Sequence, residues 1–387
     1  MSHSIIPPSS AARRVQCPGS ATLELMYPEQ YESDASREGT ASHELAERLL
    51  DCARRGQPYP TADEVVGQTA SNGVVWRIDS YEGARMYAED VAAVMHSTRV
   101  FGGPGLLIEQ RVHASRVHAE SWGTPDCALY DKEAHALYLW DYKFGHGPVE
   151  VVENWQLLTY AQGVIERLFG DKAGLLDGKL RIVLRIVQPR AIHRDGPIRQ
   201  WALDDGLLRG YVNTLADVEA AALGDNPPTR VGPMCKYCNA RHACATLQAA
   251  AWQAVELSGT ATPAELDGPG MSVEIRQLRA AKAVLEARLS GVEAQAEQTI
   301  REGKPVPGWA LEGQRGRERW TVEPDELFAI GDMMQVDLRN VSPCTPKQAI
   351  KRGIDASVIK EYSDTPQTGV KLVESTKTAA HAAFAKR

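Results

Sequence analysis

Along the first 250 residues the apolar positions switch between a helical and a strand period several times. In Ser36 to Arg55, SREGTASHELAERLLDCARR, Leu45, Leu49 and Leu50 share one side of a helical repeat, and His43 and Glu47 stand four apart. The spacing predicts a helix that ends near Gly56. Helix-like DSYEGARMYAEDVAAVMHS follows, and LLIEQRVHAS then alternates, which predicts a first strand near Leu106 to Ser115. GTPDCALYD and HALYLWDYKFG, separated by Lys132-Glu133-Ala134, predict an antiparallel hairpin. NWQLLTYAQGVIERLFG returns to the helical period, with Leu157, Leu158, Ala161, Ile165 and Leu168 on one face. Two further strands are expected in LRIVLRIVQPR and IRQWALDD. The order of helix, three strands, helix and strands predicts an α/β fold.

Small residues, Pro and Gly dominate LSGTATPAELDGPG, so a main domain is expected over 1–256, a linker over 257–270 and a mainly helical C-terminal appendage over 271–387. The appendage opens with a helix near Ser272 to Glu302. Its Ile275, Leu278, Leu285, Leu289 and Val292 fall at three- and four-residue steps, but Lys282 interrupts the seam. A helical hairpin is expected there rather than a long coiled coil.

Composition narrows the class. With 43% hydrophobic and 24% charged residues in 387, the chain reads as a soluble globular protein rather than a disordered or collagen-like one. No run approaches the roughly 18 apolar residues of a membrane span. The opening MSHSIIPPSS lacks a basic region and an apolar core, so a reducing cytoplasmic location is expected. A net charge of -7 argues against nucleic acid covering the whole surface, yet it permits a local basic channel.

The hairpin carries the candidate chemistry. Asp126 in GTPD and Asp141 in DYK are fifteen positions apart and can sit side by side across the turn, and Asp141 and Lys143 share a strand face. Adjacent carboxylates repel unless a cation lies between them, and hard oxygen ligands suit Mg²⁺ or Mn²⁺. His43, on the upstream helix, offers an imidazole. Gln156 and Tyr160 lie four apart on the helix that follows the DYK strand.

Read together, GTASHELAE, GTPD, DYK and QLLTY resemble the RecB-like branch of the PD-(D/E)XK nucleases. That branch includes recombination nucleases of the RecB and AddB type and the CRISPR-associated adaptation nucleases. The chain also resembles, over most of its length, a phage-encoded RecB-like family of poorly defined function. The resemblance implies a mixed central sheet flanked by helices, with His43, Asp126, Asp141 and the Tyr142 carbonyl at a Mg²⁺ or Mn²⁺ ion. It implies catalytic roles for Asp126, Asp141, Lys143, Gln156 and Tyr160. The expected activity is metal-dependent DNA cleavage, in exonucleolytic form, serving phage recombination or replication in a host cytoplasm. The expected partners are DNA, single-stranded or with free ends, and a recombinase or single-strand-binding protein. The alternative is a DNA-binding or recombinase-recruiting module that keeps the nuclease fold.

Cys235, Cys238 and Cys244 form Cys-x2-Cys-x5-Cys, and Cys17, followed by proline, is the candidate fourth ligand. Spacing alone admits structural zinc as readily as an iron-sulfur cluster. The resemblance implies a 4Fe-4S cluster, because AddB-type and CRISPR-associated nucleases join one cysteine before the core to three after it. Cys52, Cys127 and Cys344 are expected to be packing residues. Arg181, Arg185, Arg190, Arg194 and Arg199 are candidates for a DNA channel, as are Lys236 and Arg241 beside the cysteines. Arg315, Arg317, Arg319 and Trp320 form a second basic-aromatic group.

Overall fold

A computed structural model describes residues 4–28, 33–170, 172, 178–258 and 265–311. The chain enters through α1 (Ala11–Gln16) and α2 (Ser20–Met26), followed by α3 (Asp34–Arg54), the single turn α4 (Ala62–Val65) and α5 (Ile78–Thr98). Strands β1 (Leu106–Ile108), β2 (Val112–His113), β3 (Trp122–Gly123), β4 (Cys127–Asp131) and β5 (Ala136–Tyr142) come next. They lead to α6 (Trp155–Phe169), β6 (Arg181–Val187), β7 (Ile198–Asp204), α7 (Asp205–Ala222), α8 (Ala245–Ser258) and α9 (Gly268–Arg301).

Helix α3 starts where the Ser33 side chain accepts the Ser36 amide and stops where Gly56 takes φ +66°. The hairpin turn forms because Asp131 Oδ1 accepts the amides of Glu133 and Ala134, at 2.9 and 3.2 Å. Asn154 caps α6 by accepting the Leu157 amide at 3.1 Å.

The main sheet is mixed, in the order β1-β4-β5-β6-β7, with β5 and β6 parallel and the other pairs antiparallel. Both faces are covered. Leu137, Leu139, Ile182 and Leu184 pack with α6 and α7, whereas Tyr138, Trp140 and Tyr142 face α3 and α5. That double burial is why ALYLWDY reads as a nearly continuous apolar run. Gly83 lets α5 approach, since a Cβ there would stand 2.8 Å from the Tyr142 hydroxyl.

The strand expected over Leu106 to Ser115 is divided. Glu109 sits in the left-handed backbone region at φ +47°, so β1 stays in the main sheet while β2 leaves it to pair with β3. The boundary expected over 257–270 lies inside one compact unit, Met1–Leu311, and residues 312–387 of the expected appendage lie outside the described residues. Within the first unit α9 is unbroken and packs on α8 and the cysteine segment, with Gly291 so close that a Cβ would meet Arg241 Cγ at 2.6 Å. Among the described residues no helix is long and apolar enough to cross a membrane.

Candidate metal centre

Three remote segments meet at the open end of the β4–β5 hairpin. Cys127 pairs with Trp140, and extending that register by one residue sets Asp126 across from Asp141. Asp126 is fixed by both oxygens: Oδ2 accepts the Tyr142 amide at 2.6 Å, and Oδ1 lies 3.5 Å from His43 Nδ1. Helix α3 is registered against β5 by its neighbour Ser42, whose hydroxyl is 2.8 Å from the Tyr142 hydroxyl.

Glu109 completes the group. Its amide donates to the Asp126 carbonyl at 3.2 Å, and one ligand atom each from His43, Glu109 and Asp126 all lie within 4.8 Å of one another. The donor set of one imidazole and two carboxylates suits a small divalent cation. Loss of water contact, then the Asp126 and Glu47 carboxylates, push the Glu109 carboxyl up to about 8. On sequence grounds Glu109, like Glu47, could support a metal directly or through water or could equally be a solvated or salt-bridged residue, since it stands in an ordinary alternating run; its positive φ accompanies its turn towards Asp126.

Asp141 is 2% exposed, and its Oδ1 lies 3.0 Å from Lys143 Nζ. Its Oδ2 is buried without a hydrogen-bond partner among the described residues. Burial raises the Asp141 carboxyl above the usual carboxylate range, with Lys143 pulling the other way. Burial would lower the Lys143 ammonium, but Asp141 and Asp126 outweigh it and hold the ammonium above its ordinary value. A buried carboxylate oxygen left open beside a carboxylate-imidazole group is a place where a cation fits.

Lys143 Nζ also donates to Gln156 Oε1 at 3.2 Å. One turn further along α6, Tyr160 is 8% exposed; burial, then the Asp141 and Asp126 charges, raise its hydroxyl above the ordinary tyrosine value. Gln156 and Tyr160 therefore border the acidic cluster. Tyr142, whose carbonyl is the expected further ligand, directs its ring into the helix-facing core and its amide to Asp126. An open groove of about 450 Å³ reaches the site past Ser36, Gly39 and Thr40 of α3 and Phe144 and Gly145 beyond β5.

The arginines expected to line a channel are largely committed elsewhere. Arg185 grips Asp90 at 2.9 Å, Arg190 pairs with Glu38 at 2.9 Å, and Arg199 is buried against the Gly196 and Val149 carbonyls and Gln188. Arg194 remains exposed beside Asp195, and Arg241 donates to the Cys238 carbonyl. Arg315, Arg317, Arg319, Trp320 and Cys344 lie outside the described residues.

The second candidate site brings the N-terminal segment to the cysteine segment. Cys17 and Cys235 share a small apolar cluster with Met234, Leu247 and Ala287, and Cys244 packs against it. Cys238 stands within electrostatic range of Cys235, which in turn feels Cys17 and Cys244. The approach of Cys17 is close: its Sγ accepts the Arg230 amide at 3.3 Å, and a Cβ on Gly19 would stand 2.6 Å from Thr229 Cγ2. All four are free thiols. Burial, then the Glu24 carboxylate, lift the Cys238 thiol to about 12, and burial also raises Cys235. The four thiols come from segments far apart in sequence, and no three of their sulfurs lie within the 4.8 Å seen at His43, Glu109 and Asp126. Cys127 is fully buried in the sheet core, as expected of a packing residue, and Cys52 is partly buried on α3.

A family described as "Protein of unknown function (DUF2800)" matches residues 3–337 of the chain.

Proposed function

We propose that this chain, which belongs to the DUF2800 family, is a metal-dependent DNA nuclease of the RecB-like PD-(D/E)XK kind, acting as an exonuclease on DNA ends. The observation that carries the reading is the meeting of His43, Glu109 and Asp126 beside an Asp141–Lys143 pair whose carboxylate keeps one buried oxygen open. A surface ion pair would have no reason to desolvate that oxygen.

His43, Glu109, Asp126 and Asp141 would hold Mg²⁺ or Mn²⁺, and such an ion supplies Lewis-acid activation of water and of a phosphate oxygen. Lys143 contributes a fixed positive charge, kept protonated by Asp141, to offset charge that develops on the phosphate. Gln156 limits the swing of the Lys143 ammonium by accepting one of its protons. Tyr160 closes the α6 side of the site against water. The groove past Gly39 and Thr40 admits a backbone rather than a buried small molecule, because it is open along its length. Cys17, Cys235, Cys238 and Cys244 would hold a 4Fe-4S cluster, or zinc in its place, as a staple.

The test is incubation of anaerobically and aerobically purified protein with end-labelled linear DNA and closed circular DNA, with Mg²⁺ or Mn²⁺. Metal-dependent release of label from linear DNA supports the reading. Absence of cleavage under every condition, with DNA binding retained, would replace it by the DNA-binding module.

A further inference from the structure

We propose that α9 pairs with α9 of a second copy of this chain as a parallel coiled coil, making the protein a dimer through a surface that includes none of the acidic-site residues. The helix carries two separate contact faces. One is made of small residues: Ala287 and Gly291 are buried against the cysteine segment, and Arg288 donates to the carbonyls of Arg241 and His242. The other is large and apolar. From Met271 to Val292 the steps alternate between four and three through three heptads, interrupted only by Lys282, enough to define a coiled-coil seam.

That seam faces water. Leu278 is 60% exposed, Leu289 58% and Val292 41%, although a core-facing helix would bury such residues. On the helical wheel the seam lies about 140° from the packed face, so a partner can reach it without displacing the cysteine segment. Lys282 occupies one seam position, and a single polar residue there sets register and strand number at a cost in stability.

Charge is complementary to a second copy, and the placement of the body sets its direction. In a parallel, in-register pair the flanking positions bring Glu274 of one chain to Arg279 of the other, a contact repeated by the two-fold axis. That pairing is attractive. The Arg288 flank is also where the body of the protein sits. An antiparallel pair would place both bodies on one flank at neighbouring levels, whereas a parallel pair puts them on opposite flanks.

The test uses the full chain, with mass measured by light scattering and sedimentation over a dilution series. The expected result is a two-chain mass, lost in Leu285→Glu/Leu289→Glu with melting unchanged, and at least tenfold tighter association in Lys282→Leu. A flexible bismaleimide should link Lys282→Cys chains to each other more readily than Ala283→Cys chains. A one-chain wild type at every concentration overturns the proposal, and lowered melting of the double variant would then assign the seam to a cover within the chain. A two-chain mass that survives the double variant overturns it as well. A dimer lost in the double variant but without preferential Lys282→Cys linkage overturns the parallel arrangement.

Discussion

Gly123 and Tyr160 are packed so closely that a Cβ on the glycine would stand 2.9 Å from Tyr160 Cε1, with Pro8 Cδ at 3.0 Å on another side. Two motif residues 37 positions apart are thus halves of one contact. Gly123→Ala must displace the ring, or the strand that leads to Asp126, and overpacking of this kind costs about 1–3 kcal/mol. The variant is expected to unfold earlier in urea and to cleave DNA more slowly than the stability loss explains. Wild-type cleavage in a folded Gly123→Ala protein would show that the Tyr160 contact does not position the site.

Asp141 and Lys143 should fail together. Asp126→Ala, Asp141→Ala and Lys143→Ala are each expected to reduce metal-dependent cleavage by at least about 10²-fold, the scale of removing a charge-stabilising group. Circular dichroism should stay near wild type. His43→Ala should shift the balance between the metals towards Mg²⁺, since imidazole favours Mn²⁺. Cleavage at the wild-type rate in any of the three alanine variants, in protein free of other nucleases, would remove that residue from the chemistry. An unchanged metal titration would leave His43 as a bystander.

The Glu109 carboxyl, pushed up to about 8 from the ordinary 4.5, gives the metal-free protein a pH signature. Between those values the folded state keeps a proton that the unfolded state has released. The unfolded state therefore binds fewer protons, and stability falls as pH rises from about 4.5 to about 8. A bound cation replaces that proton, so Mn²⁺ should flatten the profile. Urea midpoints measured across this range with and without Mn²⁺, in wild type and Glu109→Gln, test the point. An unaltered slope in Glu109→Gln would place its source elsewhere.

Much of the sheet was legible because its strands announce themselves through β-branched and aromatic runs bounded by turn residues, as in ALYLWDY and RIVLRIV. The neighbouring placement of Asp126 and Asp141 followed from hairpin register alone. Glu109 could be named with Glu47 as a possible metal support but not told from a solvated or salt-bridged carboxylate, because a left-handed residue inside an alternating run has no local signal; its conformation accompanies the departure of β2 to pair with β3. The arginines of β6 and β7 misled for a related reason. Periodicity places Arg185 on β6 and Arg190 just beyond its end but cannot show that Asp90 and Glu38, from helices far upstream in sequence, pair with them. The helix expected over Ser272 to Glu302 is present as α9, but its small-residue face is read correctly only once the cysteine segment lies against it.

The thiol group should act mainly as a staple. Cys17 and Cys235 stand 218 positions apart, and the Cys17 sulfur already lies against Arg230 through the approach that Gly19 permits. Treated as a cross-link over so long a loop, a metal group there contributes roughly 5 kcal/mol, an upper figure because unfolded chains retain structure. That is comparable with the whole stability of a typical domain, about 5–15 kcal/mol. Cys17→Ala is therefore expected to lower the urea midpoint sharply and to weaken DNA binding, while Cys52→Ala on the partly buried side of α3 should do little. Anaerobically purified protein should be brown and carry about four irons per chain. One zinc per chain in colourless protein would keep the staple and reject the cluster. A Cys17→Ala protein with wild-type stability would reject the staple, because the N-terminal segment would then be held by other contacts such as the buried Arg14–Glu219 pair, whose Nη2 and Oε1 are 2.7 Å apart.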